Sequence, residues 1–375
     1  MKTYKVGIIG CGAILPSHAY SLHMLENTEV TAVCDIKPEA LEKATELFQC
    51  DGYTDYTEML KRDDLDAVHI LTPHNLHAPM AIAAANSGRH VLSEKPMSIE
   101  LDHAKAMVMA AKDNEVTFGV ISQNRYNAPS VAAKEAVANG SMGKVISQRI
   151  YITGAKPESY YLASDWRGTW EKEGGALLID QAIHLMDLGR WIVGDEIASV
   201  EATMANRMHP VIKTEDTAEG LIKYKNGART VFYATNNYGY DAPAIIETFC
   251  ENGIVNLDYN QATITYIDGR ENIVVGNPNE GFPEKTFIDF FHTTPMAMMF
   301  EIFAKWGLKF SPIRWKGTPR GGGFAMSHFK QIKNFYDSID ANVLPDIHGE
   351  EALATHEMMW AVYQSAREKK EIHLH

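Results

Sequence analysis

The feature that most restricts the fold is a glycine turn near the start of the chain. The apolar run Lys5 to Ile9 stops at Gly10-Cys11-Gly12, and Pro16 follows where a helix can begin. A strand that passes through such a turn into a helix opens a βαβ unit. Gly10 suits the tight turn, and Gly12 leaves the backbone open to a pyrophosphate at the positive helix N-terminus. Asp35, closing Val33-Cys34-Asp35 roughly 20 residues on, stands where a carboxylate accepts both ribose hydroxyls and repels a 2′-phosphate. Together these favour NAD over NADP, with Lys37 nearby to soften the preference. Leu15 fills the third position of the glycine fingerprint, where helix and strand pack closely, and is expected to alter that contact. A ligand-free turn with a strand-capping Asp is the alternative.

The order β-α-β-α continues to about residue 120. Strand candidates are Lys5 to Ile9, Val30 to Cys34, Ala67 to Leu71, His90 to Ser93 and Val116 to Ile121. Helical stretches lie after Pro16, from Pro38 to Phe48, from Leu76 to Asn86 and from Leu101 to Asp113. From Val145 alternating strand-like segments succeed one another, joined by turns such as Lys225-Asn226-Gly227 and Glu251-Asn252-Gly253, which predicts an antiparallel sheet. One helical segment, Gly175 to Trp191, interrupts it, and two more, Met326 to Ile339 and Glu350 to Glu368, close the chain. The expected fold is α/β: a Rossmann dinucleotide-binding domain at 1–123, then an α+β domain at 124–375 with a large, mainly antiparallel open sheet. The final helix is free to pack back on the first domain.

Charge narrows the partners. The chain has 375 residues, with 35 Lys and Arg against 48 Asp and Glu, a net charge of −13, so no basic footprint marks it for nucleic acid or an anionic membrane. Four cysteines without C-x-x-C spacing signal neither zinc nor disulfides and suit a reduced cytoplasm. Gly7, Gly10 and Gly12 break up the one stretch that resembles a leader, and no apolar run approaches the roughly 18 residues of a membrane span. His74 and His77 have metal-like spacing, but nothing completes a ligand set, so no metal is expected.

Two segments carry reactive groups. Ser93-Glu94-Lys95-Pro96 follows a strand, which sets Lys95 at the carboxyl edge where open α/β sheets bind ligands; a surface lysine in a proline turn fits equally well. An ammonium there stabilises negative charge developing on a substrate oxygen. Asp180, His184 and Asp187 interrupt an apolar helical segment at i, i+4 and i+7 and so share a face. Burying them is costly unless they are paired or used, and a structural Asp–His pair stays open beside a histidine general base.

These pieces in this order resemble the glucose-fructose oxidoreductase and inositol dehydrogenase family, Gfo/Idh/MocA. The resemblance spans nearly the whole chain. It rests on Ile9-Gly10-Cys11-Gly12-Ala13-Ile14 with His18, Leu71-Thr72-Pro73 with His77-Ala78, Glu94-Lys95-Pro96, Gly174-Gly175 before Asp180 and His184, and His348-Gly349-Glu350-Glu351. It implies catalytic roles for Lys95, Asp180 and His184, with Thr72, Pro73, Glu94 and Pro96 at the nicotinamide end. The rest of the implied cofactor set is Gly10, Gly12, Ala13, Ile14, Asp35, Ile36, His77, Lys95 and Gln123. Toward substrate it implies Lys95, Arg125, Trp166, Arg167, Asp180, His184, Asp187 and Tyr240, the last within a stretch similar to one in inositol dehydrogenases. Pairing through the open sheet implies a homodimer or homotetramer. The segment Tyr151 to Ala155 lacks the polar His and Asn common in inositol-specific members, which speaks against myo-inositol itself.

The implied activity is NAD-dependent oxidation of a secondary hydroxyl of a sugar or cyclitol to a ketone or lactone. His184 would take the hydroxyl proton, Lys95 would hold the oxygen, and Asp180 would orient the pair. An NAD-dependent glycosidase working by oxidation and elimination is the alternative, followed by a non-catalytic NAD-binding regulator. The choice of sugar, hydroxyl and direction lies in pocket contacts.

Overall fold

The computed structural model describes residues 2–237, 244–258, 260–277 and 322–374. Its first sheet joins β1 (Tyr4–Ile9), β2 (Thr28–Cys34), β3 (Asp51–Tyr53), β4 (Ala67–Ile70), β5 (His90–Ser93) and β6 (Phe118–Val120) in the order β3-β2-β1-β4-β5-β6. Every pair is parallel. Parallel strands need crossovers, and α1 (Leu15–Met24), α2 (Pro38–Phe48), α3 (Tyr56–Met59), α4 (His74–Asn86) and α5 (Leu101–Asp113) occupy the connections. The order turns between β1 and β4, the switch point at whose carboxyl ends such sheets bind ligands. Residues 10, 35, 72, 95 and 123 all follow strands of this sheet and stand at that edge.

The sheet is apolar on both faces. One face gathers Ile9, Val68, Ile70, Val91, Met107 and Phe118 with Ile347 and Ala352; the other gathers Tyr4, Val6, Ile8, Leu22 and Val33 with Ile332, Phe335 and Tyr336. The chain's last segment therefore supplies core to the first sheet. Leu15 is buried in the second of these clusters. The helix–strand contact that glycine would close by proximity is here filled by an apolar side chain.

Next come α6 (Ala128–Ala138), β7 (Val145–Thr153), α7 (Glu158–Leu162), α8 (Ile183–Val193), β8 (Ile197–Ala205), β9 (Thr217–Tyr224), β10 (Arg229–Thr235), β11 (Ile245–Cys250), β12 (Gly253–Asp258), β13 (Gln261–Tyr266) and β14 (Ile273–Gly276). After them follow α9 (Gly322–Ala341), α10 (Gly349–Glu368) and β15 (Ile372–His373). The nine strands order as β14-β13-β12-β11-β7-β10-β9-β8-β15, antiparallel throughout except for β7 with β10. One face packs Ile150, Phe232, Ile246 and Leu257 under Leu185, Met186, Met358 and Val362 of α8 and α10. The opposite face leaves Ile146, Tyr151 and Val231 exposed. None of the helices among the described residues is long and apolar enough to cross a membrane.

The helical stretch expected from Gly175 to Trp191 has a different beginning. Leu177–Ala182 is a π-helical turn, and only Ile183–Val193 is α-helical. Just before the π turn, a Cβ at Gly175 would lie 1.9 Å from the Tyr363 hydroxyl of α10, so that position requires glycine. Asp180 thus sits in the wider turn while Asp187 sits in α8, and the single face inferred from regular helical spacing is broken.

Candidate active site

The cofactor end is built by the turn after β1. Gly10 has φ +97°, and a Cβ would meet the Leu71 carbonyl at 2.7 Å, so the position requires glycine. Around Gly12 the space is open for 4 Å, and Ala13 beside it is exposed. Ile14 caps α1 with no side-chain bond, which leaves the helix N-terminus available to an anion. Asp35 accepts backbone N–H bonds from Cys11 and Lys37, each at 2.8 Å, one on each oxygen. Each oxygen keeps a lone pair for a ribose hydroxyl, and Ile36 beside it is 79% exposed. Thr72 and Pro73 stand half-buried after β4, and Gln123 is buried after β6 with its side-chain oxygen unpartnered among the described residues. These residues fit a dinucleotide, with room for pyrophosphate and a carboxylate for ribose.

The candidate reactive centre joins the two sheets. The Lys95 ammonium donates to the Asp180 carbonyl oxygen at 2.7 Å and to its carboxylate Oδ1 at 2.8 Å. Tyr160 of α7 donates to Oδ2 at 2.8 Å. Burial alone would raise the Asp180 carboxyl, but the Lys95 charge and these bonds hold it well below the usual carboxylate range. An ammonium has three protons, so one remains for a ligand. His184 is half-buried, and neither ring nitrogen has a hydrogen-bond partner among the described residues. Burial and then the Lys95 charge push its pKa down to about 3, so it is a neutral proton acceptor.

Sequence reasoning weighed His74 only for metal-like spacing, and Tyr160 belongs to none of the motifs it used. His74 Nδ1 lies 3.0 Å from the Glu173 carbonyl oxygen, to which it must donate, which leaves Nε2 as an acceptor. Burial and the Lys95 charge lower it to about 3. His74 follows β4 as Lys95 follows β5, so the carboxyl-edge rule that selects Lys95 selects it too. No spacing signal links Tyr160 to Asp180. Trp166 packs edge-on against His74 at 4.9 Å, and Arg167 lies over the Tyr160 ring at 4.3 Å, which brings both expected substrate residues alongside the centre.

Three expected ligand residues have partners within the protein. Arg125 and Asp187 form a buried bidentate pair at 2.7 and 2.5 Å, closed by Glu351 and Thr355 of α10. These two residues brace the last helix, with three of the five Arg125 N–H donors held by Asp187 and Glu351. His77 places its ring nitrogens 2.6 and 2.7 Å from the Pro96 and Thr72 carbonyl oxygens, between the two loops, where a neutral imidazole donates to one of them. Tyr240 lies outside the described residues. His18, Glu94 and His328 form a buried cluster with metal-like spacing, yet both His18 nitrogens are already hydrogen-bonded, one of them to Glu94 itself.

Residues 4–122 match the oxidoreductase family with an NAD-binding Rossmann fold, and residues 130–256 match the GFO/IDH/MocA C-terminal domain. The chain belongs to the GFO/IDH/MocA family. It is an NAD-dependent oxidoreductase. Among its GFO/IDH/MocA relatives, the myo-inositol 2-dehydrogenase of Thermotoga maritima is 25% identical over 377 residues, 99% of this chain and 98% of that one. A levoglucosan dehydrogenase of Pseudarthrobacter phenanthrenivorans is 31% identical over 218 residues, 55% of each chain. The WlbA dehydrogenase of Bordetella pertussis, solved with NADH and UDP-GlcNAcA, superimposes with a TM-score of 0.81 at 27% identity, over 100% of this chain and 98% of that one.

Proposed function

We propose that this protein oxidises a secondary hydroxyl of a sugar or cyclitol to a carbonyl. The observation that carries the reading is the pairing of a lysine ammonium, fixed by Asp180 with one proton to spare, and a neutral histidine whose nitrogens are unengaged. NAD, when bound, supplies the hydride acceptor. The substrate oxygen presents a lone pair to Lys95 and its proton to His184. Lys95 stabilises the charge that develops on that oxygen and makes the alcohol more acidic, which lets so weak a base serve. Asp180 and Tyr160 keep the ammonium from swinging away. Trp166 offers a flat face to a sugar ring and Arg167 a donor to its hydroxyls, in keeping with relatives named for inositol, levoglucosan and a nucleotide sugar.

The test is NADH formation with NAD, repeated with NADP, across inositols, aldoses, sugar acids and glycosides, for the wild type and Lys95→Met. Net NADH from one free polyol, reduced by at least about 100-fold in Lys95→Met while NAD still binds, is the expected result. Aglycone release without net NADH would replace this reading with the redox-assisted glycosidase. We further read the exposed face bearing Ile146, Tyr151 and Val231 as the surface that pairs copies into a dimer or tetramer, to be measured by light scattering. The four unpaired thiols suit a reducing cytoplasm.

A further inference from the structure

A buried chain of hydrogen bonds leads away from the site through the first sheet. Glu94 Oε1 lies 3.0 Å from His18 Nε2, His18 Nδ1 lies 2.9 Å from His69 Nδ1, and His69 Nε2 lies 3.0 Å from the Tyr336 hydroxyl of α9. His18, His69 and Tyr336 are fully buried. The other carboxylate oxygen, Oε2, accepts the Lys95 backbone N–H at 3.2 Å, and His328 approaches Oε1 at 3.6 Å.

The proton positions follow from these contacts. Burial would raise the Glu94 carboxyl, but the His18 and His328 contacts hold it well below the ordinary range, so it is charged. A charged carboxylate only accepts, hence His18 Nε2 carries a proton. Burial keeps both histidines neutral, so His18 Nδ1 is a lone pair and His69 Nδ1 must donate to it. His69 Nε2 is then an acceptor, and Tyr336 must donate. All three hydrogen bonds point toward Glu94, and each donor is polarised by the one behind it.

We propose that Glu94 biases this site toward the oxidised, cationic form of the nicotinamide, and that Tyr336, His69 and His18 are positioning residues that keep its carboxylate charged. Glu94 follows β5 at the ligand-binding edge, one residue before Lys95, and is nearly buried, so its charge is poorly screened there. The oxidised ring carries a positive charge that the reduced ring lacks, and a fixed negative charge distinguishes the two. This inference rests on the dehydrogenase reading of the site, with the cofactor bound at the switch point.

The test is a pair of binding titrations, Kd for NAD+ and Kd for NADH, on the wild type, Glu94→Gln, Tyr336→Phe and the double variant. Glu94→Gln should weaken NAD+ relative to NADH on the order of tenfold, the size of one unit charge acting across a partly buried site. Tyr336→Phe removes only the oxygen at the head of the chain. It should shift the ratio about two- to threefold in the same direction, and should add nothing in the Glu94→Gln background. A ratio within twofold of wild type in Glu94→Gln overturns the role of Glu94. A Tyr336→Phe shift that persists without the carboxylate, or no shift at all, overturns the chain, and this conservative variant decides that point even if Glu94→Gln fails to fold. Failure of the wild type to bind either cofactor form would overturn the dehydrogenase reading itself and this inference with it.

Discussion

Glu173 offers a direct measurement of the electrostatic cost of this site. It lies fully buried just before Gly174-Gly175, where one carboxyl oxygen accepts the Gly168 N–H and the other has no partner among the described residues. Burial, and then the negative charge of Asp180, push its pKa up to about 8. In the unfolded chain it titrates near the ordinary value of about 4.3. Between those values the unfolded carboxyl is charged while the folded one still holds its proton. The native state binds more protons, so stability falls as pH rises through that window. At about 1.36 kcal/mol per pH unit, the gap corresponds to about 5 kcal/mol lost by pH 9, an upper figure because the site can relax or admit water. Glu173→Gln keeps an acceptor for the Gly168 N–H and cannot ionise. Its amide N–H adds an unmet donor, so at pH 5 the variant should be about 1 kcal/mol less stable than wild type. By pH 8 it should be more stable by about 3 kcal/mol, with the two curves crossing near pH 6. Urea unfolding at intervals from pH 5 to 9 measures the difference. A difference independent of pH would mean that the folded carboxyl is charged across this range just as the unfolded one is, and the reasoning from burial and Asp180 would fail.

Other outcomes follow from the same geometry. With His184 held down to about 3, kcat/KM should show no acid limb near pH 6.5; an inflection there that vanishes in His184→Asn would contradict its placement beside Lys95. Gly10→Ala forces a Cβ to 2.7 Å from the Leu71 carbonyl at positive φ, so a stability loss of about 1–3 kcal/mol and at least tenfold weaker NAD binding are expected from thermal melts and titration. Arg125→Met strands the buried Asp187 carboxylate and should cost about 3–5 kcal/mol in denaturant unfolding, part of it recovered when Asp187→Leu is added.

The first sheet was legible because its determinants are local. Each strand is a short apolar run, each connection carries its own Pro, Gly or Asp stop, and the positions of Asp35 and Lys95 just after strands could be read from strand ends alone. Short elements such as β3 and α3 escaped because three or four residues carry too little periodicity to register. Asp180 and His184 could be chosen as buried polar residues, yet their arrangement could not be read from the 3.6-residue repeat. The π turn separates Asp180 from the α8 face, and the glycine just before it packs against Tyr363, nearly 190 residues later in the chain. The pairing of Arg125 with Asp187 was hidden for a related reason. A charged residue near a site has the same local sequence whether it faces ligand or partner, and only the return of α10, carrying Glu351 and Thr355, decides the matter.

That return also links the stability of the fold to the geometry of the site. Lys95 comes from the edge of the first sheet and Asp180 with His184 from the turn and helix that cover the second, so the proposed reactive pair exists only where the halves dock. α10 touches both sides of that junction: Tyr363 stands against Gly175 and donates to Glu215, whose Oε1 in turn accepts the backbone N–H groups of Ala176 and Leu178 at the entry to the π turn. Glu351 joins Arg125, after β6, to Arg190 of α8. A change in α10 that leaves Lys95, Asp180 and His184 untouched is therefore expected to disturb the placement of the proposed pair. Displacements well below the length of a hydrogen bond matter at such a pair, because alignment is what the protein contributes to the chemistry.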